Sequence, residues 1–236
     1  MTNTYRFADV NVEITAIHPF IHSFCRDYLV SEPSDFSAET TRADIEYERS
    51  RAEHPNASDA YLESLAVYRK IAEMMPRFGA FLMHGSAIAV DGRGYIFAAA
   101  SGTGKSTHTR LWRELLGDKA IMINDDKPLL RVSPDGSTVV YGTPWDGKHR
   151  LSRNLAVPLK AVCFLRRAEE NTIREISRQT ALPMMIGHVY RPGDVGALSK
   201  TLALIDTMNV RFYSLGCNMD IGAAKLAYEA MGGYEK

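Results

Sequence analysis

The pattern of apolar and polar positions predicts strands at the start of the chain. Apolar residues alternate with polar ones at positions 10–14 and again at positions 45–47, a period of two that is typical of a half-buried strand. Residues 31–41 show no such alternation, so we expect a loop there. The first 50 residues are therefore predicted to be β-rich.

A long helix follows this β-rich part. Ser58 is suited to cap its N-terminus, apolar residues recur at helical spacing as far as Met75, and Pro76 stands near its end. Its charged residues, including Glu63, are expected to face water. We expect residues 1–80 to form an N-terminal β-rich segment plus this helix, packed on a core formed by residues 81–236.

The core begins with a predicted hairpin. Phe81 to Val90 is expected to form one strand, which contains the sequence HGSA. Residues 91–94 (DGRG) are typical of a tight turn, and the apolar run that starts at Tyr95 gives the second strand.

Further strands and helices alternate irregularly along the rest of the core. Two hairpins with few intervening helices favour a mixed, largely antiparallel α/β fold over a doubly wound one. The later predicted elements are strands at 121–123, 129–132, 138–141, 160–165 and 212–215, and helices at 195–208 and 220–231.

The sequence from Gly94 to Arg113, GYIFAAASGTGKSTHTRLWR, predicts a strand, a glycine-bearing loop and a helix. This order is the context that a phosphate-binding loop requires, because loop amides and the helix N-terminus attract anions. Ala99 departs from the strict motif, which has glycine there, and an ordinary loop before a helix is the alternative. The residues predicted to bind nucleotide phosphates are Ser101, Gly102, Thr103, Gly104, Lys105, Ser106 and Thr107.

Paired carboxylates follow the strand at 121–123. Asp125 and Asp126 are adjacent at a strand end, so their side chains should point in different directions. One carboxylate can hold the Mg²⁺ that bridges nucleotide phosphates while the other faces an acceptor hydroxyl. The alternative is a solvated turn before Pro128.

Three further side chains are candidates for the site. His84 lies in an apolar strand, and the sequence favours a buried structural role and a functional role equally. Lys148 and Arg150 lie in a glycine-rich loop, where cations can stabilise the charge of a transferring phosphoryl group. An ordinary polar surface loop is the alternative for these two.

Composition limits the class of protein. The 236 residues contain 28 basic and 28 acidic side chains, and this balance argues against a nucleic-acid-binding protein. The three cysteines are far apart and match no metal-site spacing, which favours a reducing compartment. With no apolar signal region or membrane-length stretch, we expect a cytoplasmic protein without a membrane partner.

The sequences HGSA, SGTGKST and NDD together resemble the superfamily of HPr kinase/phosphorylase and phosphoenolpyruvate carboxykinase. The resemblance runs from about Leu82 to Arg167. GTPWDGK followed by NLAVPLKAVCFL resembles the shorter HPr-kinase-like proteins. This resemblance implies a P-loop nucleotide-binding core with a mixed, largely antiparallel sheet and flanking helices.

The resemblance also implies roles at the matching positions. Lys105 and the backbone of residues 101–107 would bind the phosphates of ATP, while Ser106 and Asp126 would hold Mg²⁺ or Mn²⁺. Asp125 would act as the general base. His84 would be a metal ligand, as in carboxykinases, or would lie beside the catalytic aspartate, as in HPr kinases.

We therefore expect an ATP-dependent kinase that phosphorylates a hydroxyl, with Ser or Thr of a peptide or protein as the acceptor. A small-molecule hydroxyl kinase, a carboxykinase-like enzyme and a non-catalytic nucleotide-binding regulator are the alternatives. Retention of both aspartates together with Lys105 favours catalysis. Residues 142–155 do not reproduce the HPr kinase signature, so HPr itself is not the expected substrate. The sequence leaves open the acceptor, the reverse phosphorolysis and whether the chain forms a homo-oligomer.

Overall fold

The computed structural model describes residues 1–52, 56–147 and 149–232 of the chain. These residues form an α/β structure with mixed sheets and flanking helices. The helices are α1 (Phe20–Phe24), α2 (Arg42–Arg51), α3 (Asp59–Met74), α4 (Lys105–Leu116), α5 (Arg178–Ile186), α6 (Val195–Thr207) and α7 (Ile221–Ala230). The strands are β1 (Thr2–Phe7), β2 (Val10–Thr15), β3 (Leu29–Val30), β4 (Phe36–Glu39), β5 (Ala80–Leu82), β6 (Ser86–Val90), β7 (Arg93–Ala98), β8 (Ala120–Asn124), β9 (Leu129–Val132), β10 (Thr138–Tyr141), β11 (Ala156–Arg167), β12 (Thr172–Ile176) and β13 (Arg211–Cys217).

The first four strands form a small sheet in the order β3-β1-β2-β4. The predicted alternation at positions 10–14 is confirmed in β2, where Val10, Val12 and Ile14 are buried and the residues between them are half-buried. The prediction of a loop at 31–41 was wrong in part, because β4 lies within it and pairs in parallel with β2.

Residues 45–47 are helical, so the predicted strand there was wrong. A capping box begins α2: the Thr41 side chain accepts from the Asp44 amide, and the Thr41 amide donates to Asp44 Oδ2 at 2.9 Å. These local bonds satisfy amides at the helix start. Ile45 is buried and Tyr47 is 46% exposed, so the two apolar residues do not share one buried face.

The long helix α3 is confirmed, with Ser58 as its N-cap. Glu63, which we expected in water, is only 1% exposed. Its carboxylate accepts hydrogen bonds from the amides of Ile17 at 2.6 Å and His18 at 2.8 Å, and from the Thr40 hydroxyl at 2.6 Å. Burial alone raises the pKa of Glu63, but these hydrogen bonds outweigh burial and lower it. Glu63 therefore joins α3 to the connections that leave β2 and β4.

The larger sheet has the order β5-β9-β10-β11-β7-β6-β8, and β13 and β12 extend it from β11. The start of β11 pairs antiparallel with β10, and its remainder pairs in parallel with β7 on one side and β13 on the other. The predicted hairpins β6–β7 and β9–β10 are confirmed. The sheet is therefore mixed, with its parallel pairs at the centre.

The prediction of one strand from Phe81 to Val90 was wrong, because the chain leaves β5 before it enters β6. The amides between them donate to other segments: Met83 to the Pro128 carbonyl at 3.1 Å, and Gly85 to the Asp126 carbonyl at 3.0 Å. His84 therefore lies in a connection that contacts the aspartate segment.

Strand directions bring several chain segments to one edge of the sheet. Strands β7, β8, β11 and β13 all run the same way, so Ala98, Asn124, Arg167 and Cys217 end at this edge. In open α/β sheets, ligands bind outside the carboxyl ends of parallel strands. None of the helices in the described ranges has the length and apolar character needed to cross a bilayer.

Candidate active site

The glycine loop, residues 99–104, connects β7 to α4 at this edge. Gly102 and Gly104 have φ angles of 74° and 124°, which residues with a Cβ rarely adopt. Ala99 has no positive φ, so alanine is compatible with the loop where the strict motif has glycine. The loop leads directly into the N-terminus of α4, whose first amides are free of helical partners.

Lys105 is buried, with 9% of its surface exposed. Its Nζ donates a hydrogen bond to the Ala99 carbonyl at 3.0 Å. Burial lowers the pKa of the Lys105 ammonium, and the charges of Asp126 and Asp125 oppose this shift in part. The lysine is thus held against the loop, close to both carboxylates.

A central cavity of about 690 Å³ brings most of the predicted residues together. Thr103 lies outside its lining and faces a neighbouring cavity. Arg150 is also absent from the lining, and its guanidinium lies over the Phe24 ring at 5.5 Å. Lys148 lies outside the described residues. The central cavity is lined by His84, Ser101, Gly102, Gly104, Lys105, Ser106, Thr107, Arg110, Asp125, Asp126, Gly147 and His149.

Asp125 is buried, with 7% of its surface exposed. Its Oδ1 accepts a hydrogen bond from Ser86 Oγ at 2.5 Å, and Ser86 Oγ lies 3.0 Å from Thr109 Oγ1. A Cβ placed on Gly147 would lie 3.1 Å from Asp125 Oδ2. The carboxylate is therefore fixed through one oxygen, while glycine at position 147 leaves space beside the other.

Asp126 has different partners, as two adjacent carboxylates at a strand end should. His84 Nε2 lies 3.3 Å from Asp126 Oδ1, and Lys127 Nζ lies 2.9 Å from Asp126 Oδ2. Burial by itself raises the pKa of Asp126, but His84 and Lys127 outweigh it and lower the pKa to about 2. His84 thus contacts Asp126, whereas one reading of the sequence had placed it beside Asp125.

Asn124 shapes the turn that carries both carboxylates. Its side-chain oxygen accepts from the amides of Asp126 at 2.8 Å and Lys127 at 2.6 Å, an arrangement in which an Asn side chain stabilises a turn. Its side-chain nitrogen donates to the carbonyl of Thr143 at 3.0 Å and to that of Trp145 at 3.3 Å. The aspartate turn and residues 143–145 are therefore one hydrogen-bonded unit.

Two aromatic residues attach this unit to the N-terminal part of the chain. The rings of Tyr68 and Trp145 stack with centroids 4.1 Å apart. Tyr68 OH donates to the Lys127 carbonyl at 2.6 Å, and Trp145 Nε1 donates to the Ser64 carbonyl at 2.8 Å. Helix α3 thus supports the backbone on which Asp125 and Asp126 stand.

Two smaller cavities flank the central one. The apolar cavity, about 410 Å³, shares Gly102, Gly104 and Thr107 with it. Its full lining is Gly102, Thr103, Gly104, Thr107, His108, Leu111, Arg167, Ala168, Cys217, Asn218 and Met219. The basic cavity, about 270 Å³, is lined by Ser106, Thr109, Arg110, Arg113, Met122, Asp125, His149 and Leu151. It shares Ser106, Arg110, Asp125 and His149 with the central cavity, so the three form a row above the sheet edge.

A protein-family model described as "ScmC: SynChlorMet cassette protein ScmC" matches residues 56–191, more than half of the chain. The chain belongs to the ScmC family. The ScmC match includes α3, the glycine loop and the aspartate turn. A comparison with curated proteins found no match.

Several residues of this ScmC-family site were missed from the sequence. Ser86 and Asn124 lie within the motifs HGSA and NDD. A small hydroxyl gives no signal that it donates to the Asp125 carboxylate, and an amide side chain gives none that it accepts from the Asp126 backbone. Arg110 and Arg113 follow the loop motif on α4, and counting helical turns from Lys105 could have placed them near the site.

Proposed function

We propose that this protein is an ATP-dependent kinase, similar to HPr kinases, that transfers the γ-phosphoryl group to the hydroxyl of a serine or threonine in a peptide or protein. The observation that carries the proposal is the central cavity, where the glycine loop and Lys105 face two carboxylates with different partners. Phosphoryl transfer relies on charge stabilisation and on alignment of the acceptor. The loop, Lys105 and the two carboxylates together can supply both the charge stabilisation and the alignment.

The row of cavities supports one orientation of the nucleotide. The amides of the glycine loop and Lys105 would bind the phosphates in the central cavity. The base would occupy the apolar cavity, because it joins the loop and is lined by Leu111 and Met219. Arg167 donates to the Gly102 carbonyl at 2.6 Å and holds the loop between the two cavities.

The residues present fit a magnesium ion that is bound together with nucleotide phosphates. Ser106 and Asp126 offer the oxygen ligands that Mg²⁺ prefers, and Mg²⁺ usually takes only one or two carboxylates plus phosphates. Within the described ranges no group of three or more His, Cys, Asp or Glu side chains is placed to hold a metal alone. His84 beside Asp126 Oδ1 belongs to this metal side of the cavity. The ion would neutralise charge on the phosphates.

Asp125 is the proposed general base. Ser86 fixes its Oδ1, and the space beside Gly147 leaves Oδ2 for the proton of the acceptor hydroxyl. A base must reach the proton that it accepts, and its orientation is then as important as its basicity. Lys105, close to both carboxylates, would balance negative charge as the phosphoryl group moves.

The test is phosphate transfer from γ-labelled ATP. Candidate acceptors are serine-containing peptides, proteins and free hydroxy amino acids. Because the family description refers to a cassette, products encoded beside the gene are the first peptides to test. Mg²⁺-dependent labelling that Asp125→Asn abolishes supports the proposal.

Three other outcomes would replace it. Labelling of free hydroxy amino acids alone would indicate a small-molecule kinase. Oxaloacetate-dependent nucleotide consumption would indicate a carboxykinase. Tight binding of MgATP without transfer to any acceptor would indicate a regulator.

A further inference from the structure

The basic cavity lies on the far side of Asp125 from the apolar cavity. It shares Asp125 and Ser106 with the central cavity, so a molecule whose hydroxyl reaches Asp125 would extend into it. The proposed nucleotide does not use this space, because its base lies on the opposite side. The lining of the basic cavity therefore bears on the acceptor.

Arg113 lines this cavity and carries an unsatisfied donor. Its Nε is buried and has no hydrogen-bond partner among the residues that the structure describes. A buried N–H group without an acceptor destabilises the protein unless water or a ligand supplies one. The planar guanidinium pairs best with a carboxylate or a phosphate.

Arg110 adds a second cation at the same place. Among the residues that the structure describes, it pairs with Glu114, at 3.1 Å on the same helix, and both side chains are more than half exposed. An exposed pair of this kind is weak, so Arg110 can turn to a ligand at little cost. Two arginines on successive turns of α4 thus border the cavity beside the proposed base.

Charge decides between the two kinds of anion. Asp125 lines the basic cavity too, and the γ-phosphate would lie next to it in the central cavity. The Asp125 carboxylate and the γ-phosphate would repel a doubly charged phosphate on the acceptor more strongly than a singly charged carboxylate. The His149 imidazole also lines both cavities and can donate or accept a hydrogen bond.

We propose that the acceptor carries a carboxylate close to its reacting hydroxyl, and that Arg113, assisted by Arg110, binds that carboxylate. The inference rests on the proposed kinase function. A cavity of about 270 Å³ accommodates a small hydroxy acid, or one acidic side chain next to a serine in a peptide.

The experiment compares matched acceptors that differ only in the anion. The first pair is N-acetyl-L-serine and N-acetyl-L-serinamide, and the second is acetyl-Ala-Ser-Asp-amide and acetyl-Ala-Ser-Asn-amide. We expect the acidic member of at least one pair to have a kcat/KM about 10- to 100-fold higher, the effect of a charge-assisted hydrogen bond. The pair that shows the preference separates a free hydroxy acid from an acidic peptide.

Variants of the arginines test which residue causes the preference for the acidic acceptor. In Arg113→Gln the ratio of kcat/KM for the acidic acceptor to that for the neutral one should fall to near one, with the KM for MgATP unchanged. Arg113→Lys keeps the charge and the aliphatic stem, so it should retain part of the preference. Lys225→Gln is the matched control, because it removes an exposed cation that pairs with Glu229 four residues on, in α7. The control should keep the full preference.

Two results overturn the inference while the kinase function stands: equal transfer to both members of both pairs, or a preference that neither Arg113→Gln nor Arg110→Gln changes. Absence of transfer to every acceptor, with MgATP binding intact, overturns the kinase proposal and the inference together.

Discussion

Ser86 Oγ donates a 2.5 Å hydrogen bond to Asp125 Oδ1, and this contact joins the segment before the glycine loop to the proposed base. We predict that Asp125→Asn retains MgATP binding and loses phosphoryl transfer by about 10²-fold or more, the usual contribution of a general base. Calorimetry with MgATP and single-turnover transfer from labelled ATP measure the two effects separately.

Ser86→Ala should lose less, about tenfold, because the carboxylate remains and only its orientation is weakened by one hydrogen bond. Thr109→Val is the comparison variant: Thr109 contacts Ser86 but not Asp125, so transfer should fall less than in Ser86→Ala. Transfer by Asp125→Asn at the wild-type rate would refute the assigned base.

Lys105→Ala should weaken MgATP binding and abolish turnover, because the ammonium is the proposed partner of the phosphates. The variant also removes a buried hydrogen bond to the Ala99 carbonyl, so we expect the free energy of unfolding to fall by about 1 kcal/mol. Thermal unfolding and calorimetry measure both, with Lys119→Ala, an exposed lysine shortly after α4, as control. Unchanged affinity and turnover would contradict the phosphate-binding role.

His84 contacts Asp126, the proposed metal ligand, so replacing His84 should weaken the binding of Mg²⁺. Activity should require Mg²⁺ or Mn²⁺ and disappear with a chelator. Asp126→Asn should raise the Mg²⁺ concentration needed for half-maximal activity by at least tenfold, with a smaller rise in His84→Ala. Titrations of activity with Mg²⁺ test this, with Asp125→Asn as comparison. Normal metal dependence in Asp126→Asn would assign the metal to another residue.

Gly147 leaves room beside Asp125. An alanine there would put a Cβ 3.1 Å from Asp125 Oδ2 and 3.3 Å from the Asp125 carbonyl, so the carboxylate must shift. We expect Gly147→Ala to lower transfer about tenfold, with MgATP affinity retained, because small displacements of a catalytic group are costly. Gly193→Ala is the control, since its Cβ would meet no atom closer than 4.0 Å. Equal transfer by both variants would show that this space is not used.

The ionised side chain of Asp44 should make a contribution to stability that is lost in acid. Burial alone raises the pKa of Asp44, but the hydrogen bonds from Lys70 and Thr41 outweigh it and lower the pKa to about 2, from 3.8 in the unfolded chain. The contribution is therefore complete above pH 4 and is lost as the pH falls towards 2. Asp44→Asn should cost about 1 to 2 kcal/mol at pH 7 and progressively less below pH 4.

Urea unfolding between pH 7 and 3 measures this difference, with Glu46→Gln, an exposed acid on the same helix, as control. A difference between the wild type and Asp44→Asn that does not change with pH would contradict the assignment.

The sequence was most informative where local spacing determines structure. The strand, loop and helix around Lys105, the cap at Ser58 and the hairpin β9–β10 follow from periodicity and turn residues over short distances. The grouping of Lys105 with Asp125 was also predicted, because the loop and aspartate motifs together resemble one superfamily.

The errors arose where distant contacts decide. Glu63 fits a solvated helix face by spacing, and it is buried because amides and a hydroxyl from other elements satisfy it. The break between β5 and β6 depends on carbonyls of Pro128 and Asp126 that sequence patterns cannot locate. Sequence patterns could not show which of the two aspartates His84 contacts, for the same reason.

The hydrogen bond from Tyr68 OH to the Lys127 carbonyl spans 59 positions, and it affects the order in which the protein can be assembled. We expect the turn that follows β8 to be fully stabilised only after α3 has docked and the Trp145 ring has stacked on Tyr68. A fragment that starts at residue 81 would keep every predicted site residue, yet it would begin folding without the surface that supports Asp125 and Asp126. The site would then become able to bind its ligands late in folding and in a single step, when residues 1–80 pack against the rest of the chain.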